Sequence, residues 1–173
     1  MRVLVDGVGS GALADALARG LGTAGRDVVR VSAGNFLRPA GERFEWGRED
    51  VQSFRERWLD EGGLRREVLD AALVGTVLPS LWDASRDRST RAAPVPLSSQ
   101  GVVVVDGVLL LGRGLAAELT VHLAMSSAAL LRRGVPEWQL PAFSSYDEEV
   151  RPGEVCDVLV RAEDPKRPAV LFR

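Results

Sequence analysis

At 173 residues, with 46% hydrophobic and 27% charged residues, the chain has the size and balance of a single globular domain, 1–173, with a real core. A net charge of −2 predicts no nucleic-acid partner and no acidic-membrane partner, and no apolar run approaches the roughly 20 residues of a membrane span. The lone cysteine, Cys156, excludes an intramolecular disulfide; with a strand pattern starting at Met1 where a signal peptide would stand, it predicts a cytoplasmic protein.

The first twenty-one residues read as a buried strand (Met1–Val5), a glycine-rich turn (Asp6–Gly11) and a helix. The helix shows in Leu13, Ala14, Leu17, Ala18 and Leu21, which recur at helical spacing from Ala12. A second strand is expected at Asp27–Ser32, then a polar loop over Ala33–Gly47. Asp50–Leu59 reads as a short helix with Val51, Phe54 and Trp58 on one face. Gly62-Gly63 is expected to break it, ahead of another helix at Leu64–Val74 with Leu64, Val68, Leu69 and Leu73 inward. Thr76–Gln100 is irregular, with room for a small hairpin. Val102–Val105, four valines bounded by Gly101 and Asp106-Gly107, is the strongest strand signal and suggests burial on both faces. Strands at Leu119–Met125, Val155–Arg161 and Pro168–Phe172, and a short helix at Ser126–Arg133, complete the pattern, with Gly134–Glu154 a polar stretch between them. Alternation of strands and helices argues for a parallel α/β sheet.

A strand feeding a glycine turn that opens a helix is how α/β proteins build phosphate sites, because backbone N–H groups and the helix N-terminus converge on the anion. The candidate ligand-binding turn is therefore Gly7, Val8, Gly9, Ser10, Gly11 and Ala12. It departs from the phosphate-loop pattern G-x-x-x-x-G-K-[ST]. Gly7 and Gly11 enclose three residues, one too few; Ala12 holds the lysine position and Leu13 the hydroxyl position. The chain's single lysine, Lys166, lies far along the sequence.

The order of motifs resembles the uridine kinase-like branch of P-loop nucleoside kinases. The strand-DG-turn of Val3–Gly11 opens the series. Ser32-Ala33-Gly34-Asn35-Phe36 stands where the family has S-x-D-x-F, and Arg43–Asp50 where it has R-Y-x-x-G-R-D-S. Trp58-Leu59-Asp60 matches the family's aromatic helix ending in F-D, Val103–Leu111 (VVVDGVLLL) its Walker B-type strand, and Asp164–Pro168 (DPKRP) its D-P-x-x-P. The resemblance implies a three-layer α/β/α P-loop NTPase-like fold with a mostly parallel central sheet. It further implies a nucleoside-like small-molecule ligand held by Arg43, Asp60 and Trp82. Asp106 becomes the candidate catalytic acid, facing Mg²⁺ or its water shell, while no metal ligand is assigned on this chain's own motifs. Assembly into a homo-oligomer fits the family as well.

The departures concentrate on the chemistry. The family's general base falls on Gly34, which has no side chain, and a base must reach the acceptor hydroxyl. The arginine-bearing lid is cut down near 132–150 to Arg132-Arg133. Phosphoryl transfer depends on such positioned charges, and removing one donor of this kind costs about 3 kcal/mol. Elsewhere His122 reads as a core histidine and Cys156 as a small buried hydrophobe, while Asp147-Glu148-Glu149 reads as a solvated loop. Two functions follow. One is a degenerate nucleoside kinase-like protein that binds without phosphoryl transfer, its cofactor unknown. The other is an active kinase using ATP and Mg²⁺ through an atypical loop, with Arg38, Arg43, Arg132 or Arg133 replacing the lysine. An arginine within hydrogen-bond reach of the turn favours the second; apolar side chains plugging it favour the first.

Overall fold

The computed structural model describes residues 1–164 and 167–173. Its six-stranded sheet consists of β1 (Arg2–Asp6), β2 (Val28–Ser32), β3 (Val102–Gly107), β4 (Leu119–Ala124), β5 (Val158–Arg161) and β6 (Ala169–Phe172). The order across the sheet is β6-β5-β4-β1-β3-β2, parallel except for the antiparallel β5–β6 pair at one margin. The first strand therefore lies inside the sheet, between partners that come a hundred residues later.

The valine run of β3 shows why the sheet is covered on both sides. Successive side chains on a strand point to opposite faces. Val103 and Val105 join a core with Leu4, Val29, Val31 and Phe36; Val102 and Val104 join a second core with Val3, Val5 and Val121. α1 (Ser10–Thr23) covers the second core with Leu13, Ala14, Leu17 and Leu21, as its spacing predicts. The first core is covered by α2 (Val51–Glu56), α3 (Glu61–Leu64) and α5 (Leu140–Glu149), which contribute Phe54, Leu64, Phe143 and Tyr146. The short α4 (Ser127–Arg132) follows β4 and is capped by the Ser126 hydroxyl on the Ala129 amide. This is the three-layer arrangement with a mostly parallel centre that the motif order implies.

Several elements differ from expectation. The Ala33–Gly47 loop contains a 3₁₀ turn at Ala33–Phe36 and a helical turn at Ala40–Arg43. Gly62-Gly63 does not break a helix but opens α3, because the Asp60 carboxylate caps the Gly63 amide at 2.9 Å. α3 runs on as a π turn (Arg65–Asp70) and a 3₁₀ turn (Ala71–Val74); Val68 and Leu69 point inward but Leu73 is exposed. The polar Gly134–Glu154 stretch carries α5, so Asp147, Glu148 and Glu149 sit on a helix. A two-residue-arm hairpin pairs Trp82-Asp83 with Arg88-Ser89. Cys156 is buried, as expected. Of the DPKRP segment, Pro165 and Lys166 lie outside the described residues. Among the described residues no helix is long and apolar enough to cross a membrane.

Candidate functional site

Strand register assembles the site. β1, β2 and β3 all end at one edge of the sheet, and their pairing sets Asp6 opposite Gly107 and Ser32 opposite Asp106. In parallel α/β sheets ligands gather at the carboxyl ends of such strands. The chain reverses into α1 through Gly7, at φ 119°, and Gly9, at φ 78°, values that favour glycine. A Cβ at Gly7 would also lie 2.7 Å from the Leu123 carbonyl. The Gly7 amide is bonded to the Gly107 carbonyl at 2.8 Å, which ties the turn to β3.

Beside the turn lies a cleft of about 340 Å³, floored by the glycine turn and the end of β3. Leu37, Phe54, Trp58, Val108 and Leu109 make its walls mainly apolar. Phe54 and Trp58 meet edge to face at 5.1 Å, and Trp138 and Phe143 pack on Phe54 at 5.6 and 6.1 Å. The aromatic residues of the 134–150 stretch thus fold back onto α2. Among the described residues two ionisable side chains line the cleft, Asp106 and Arg113, and both are engaged. Arg113 pairs with Glu61 and donates to the Arg55 and Leu109 carbonyls. Asp106, 8% exposed, is bonded through Oδ1 to Arg30 at 2.5 Å and through Oδ2 to the Ser10 hydroxyl at 3.4 Å.

The other sequence-predicted residues are placed as follows. Gly7, Gly9, Ser10 and Gly11 line the cleft; Val8 lines a smaller cavity with Asp6, His122 and Tyr146, and Ala12 is exposed on α1. Arg43, Asp60 and Trp82 are outside the cleft lining. Arg43 is buried, donates to the Arg38 carbonyl at 2.8 Å and stacks on Phe44 and Trp58, and burial lowers its pKa. Asp60 caps α3. Trp82 donates to Asp87 at 3.2 Å within the hairpin. A wider cup on that hairpin, lined by Asp83, Arg86, Arg88 and Arg91 among others, shares no residue with the cleft. Gly34 does face the cleft, so no carboxylate stands where the family's base would be.

Two arginines reach the turn. Arg133 carries Nη1 to 3.2 Å from where a Cβ of Gly9 would lie. Arg30 was not anticipated: it donates to the Gly11 carbonyl at 3.3 Å as well as to Asp106. Its sequence signal was a charge in the valine strand DVVRVS, on the face that meets α1.

Behind the turn, register sets Asp6 beside His122. Asp6 is fully buried; its Oδ2 meets His122 Nδ1 at 2.7 Å and accepts from the Tyr146 hydroxyl at 2.9 Å, and its Oδ1 accepts from the Leu110 amide at 2.8 Å. The Leu111 amide donates to the Tyr146 oxygen at 2.9 Å. Burial, reinforced by Asp6, drives the tyrosine pKa far up. His122 is thus a core histidine, as read, but one in a buried hydrogen-bond network beneath the turn.

A mostly parallel sheet covered by helices on both faces, with a glycine turn between β1 and α1, is a three-layer P-loop NTPase-like fold. Solved structures agree. One described as a possible uridine kinase from Bacillus stearothermophilus superposes with a TM-score of 0.74 at 18% identity, covering 92% of this chain and 87% of that one. A fructose transport system kinase candidate from Silicibacter sp. TM1040 superposes with a TM-score of 0.61 at 22% identity, covering 88% and 81%. No family model matches the sequence, and no curated protein does.

Proposed function

We propose that the chain is a kinase-fold protein with a degenerate phosphate loop, which holds a nucleoside-like small molecule in its cleft without transferring phosphate from ATP. The carrying observation is that both ionisable groups lining the cleft are already paired, Asp106 with Arg30 and Arg113 with Glu61. Among the described residues no free carboxylate lines the cleft to take a proton from an acceptor hydroxyl. Ala12 and Leu13 leave the turn without the ammonium and hydroxyl that grip a metal–triphosphate. The apolar walls with Trp58 and Phe54 suit a flat ring, and Ser32 and Ser10 offer hydroxyls to a polar edge.

A second reading, an active kinase with an atypical loop, draws support from the two arginines that reach the turn, Arg133 over Gly9 and Arg30 on the Gly11 carbonyl. A thermal-shift screen of nucleosides and nucleotides, with and without Mg²⁺, separates the two. Binding raises the melting temperature by mass action. The first reading expects a rise with nucleoside alone and none added by MgATP. A MgATP-dependent rise, with ATP turnover abolished in Asp106→Asn, replaces it with the second.

A further inference from the structure

The fold of the P-loop kinases implies a divalent cation near the carboxylate that ends β3, and the residues here do not fit one. Leu13 stands where the sequence pattern has a metal-binding hydroxyl, and Asp106 Oδ1 is taken by Arg30. The surroundings of that guanidinium resemble an ion's. Nη1 reaches Asp106 Oδ1 at 2.5 Å and the Val31 carbonyl at 2.8 Å. Nε reaches Asp15 Oδ1 at 3.0 Å, and Nη2 the Gly11 carbonyl at 3.3 Å. Two carboxylates and two carbonyls, one pair from α1 and one from β2 and β3, thus converge on a single fixed positive charge.

We propose that Arg30 is a built-in cation that occupies the metal seat and closes it to divalent ions, so that ligand uptake at the cleft is independent of Mg²⁺. The proposal deepens the kinase-fold reading of the cleft and rests on it. The argument is one of charge: the planar guanidinium fork already supplies donors to all four oxygens. Displacing it would strand a partly buried charge, whereas the same oxygens without it form a hard, anionic cluster. Gly11 belongs to the device: a Cβ there would lie 3.3 Å from Asp106 Oδ2 and 3.5 Å from Arg30 Nη2.

The test uses Mn²⁺ alone, followed by the paramagnetic resonance signal of the free ion. Wild type is expected to take up no more Mn²⁺ than Asp106→Asn does. Arg30→Met is expected to bind roughly tenfold or more tightly than wild type, as a vacated oxygen cluster should. The added substitution Asp106→Asn should abolish that gain. Uptake by wild type through Asp106, or an Arg30→Met chain no better than wild type, overturns the proposal. Should the methionine variant not fold, wild type against Asp106→Asn decides alone: equal uptake supports the proposal and excess in wild type refutes it. No nucleoside enters these titrations, so a failure of the cleft's ligand assignment shows only in the thermal-shift screen and is told apart.

Discussion

Asp6 illustrates how much one buried side chain can hold. It is hydrogen-bonded to three groups on three segments: His122 on β4, Tyr146 on α5 and the Leu110 amide. Asp6→Ala removes the shared acceptor from all three inside the core, and a buried polar network broken at one member costs about 3–5 kcal/mol. Chemical denaturation should show a loss of that size. The same network makes an alkaline prediction. Tyr146 is the only tyrosine, and its pKa in the fold is raised by burial first and by Asp6 second. The neutral phenol is therefore the form the fold favours. Its contribution is complete at and below the ordinary tyrosine value of 10.0 and is lost as pH rises beyond it. Phenolate absorbance should appear together with unfolding; a reversible midpoint near the free value, with the fold intact, would contradict this. Legibility at this scale was uneven. His122 was readable as a core residue because its neighbours are apolar, but its partner lies 116 positions away and no local pattern announces it. Arg30 went unread for the same reason: its role exists only once Asp15, Gly11 and Asp106 are brought around it.

At the scale of elements, periodicity carried most of the information. α1, β2, β3, β4 and α4 lie within a few residues of their expected bounds, because an apolar stripe or a β-branched run fixes each. Two misreadings have specific causes. The acidic composition of Gly134–Glu154 hid α5, whose burial rests on Ala142, Phe143 and Tyr146 rather than on a long stripe. Gly62-Gly63 looked like a breaker, yet these glycines open α3, and at Gly63 there is no room for a side chain. A Cβ at Gly63 would collide with the Asp60 carboxylate and meet Leu81 at 3.3 Å. That crowding gives a coupled prediction. Asp60→Ala removes the cap and should cost about 1 kcal/mol. Gly63→Ala in the wild-type chain should cost at least about as much, since it pushes the carboxylate off the Gly63 amide. Once Asp60 is already alanine, the second substitution should cost less, because alanine favours a helix and the clash is gone. Additive losses measured by urea denaturation would show that the cap and the close approach are independent.

Across the whole molecule, the sheet's strand order puts the first segment of the chain in the middle. The fold class was legible because alternating helix and strand patterns with a buried valine run leave few arrangements besides a parallel, doubly covered sheet. The cleft was half legible. Its glycine floor and Asp106 followed from the strand-turn-helix pattern and the valine strand, whereas its walls, Leu37, Phe54 and Trp58, come from segments that only tertiary packing brings together. The central place of β1 bears on how the protein is made. Its register partners are residues 103–107 on one side and 119–122 on the other. A ribosome adding about 5–20 residues per second leaves that apolar segment without strand partners for roughly ten seconds after it emerges. The bond from the Gly7 amide to the Gly107 carbonyl, which ties the glycine turn to β3, therefore forms only when the second half of the polypeptide has left the exit tunnel.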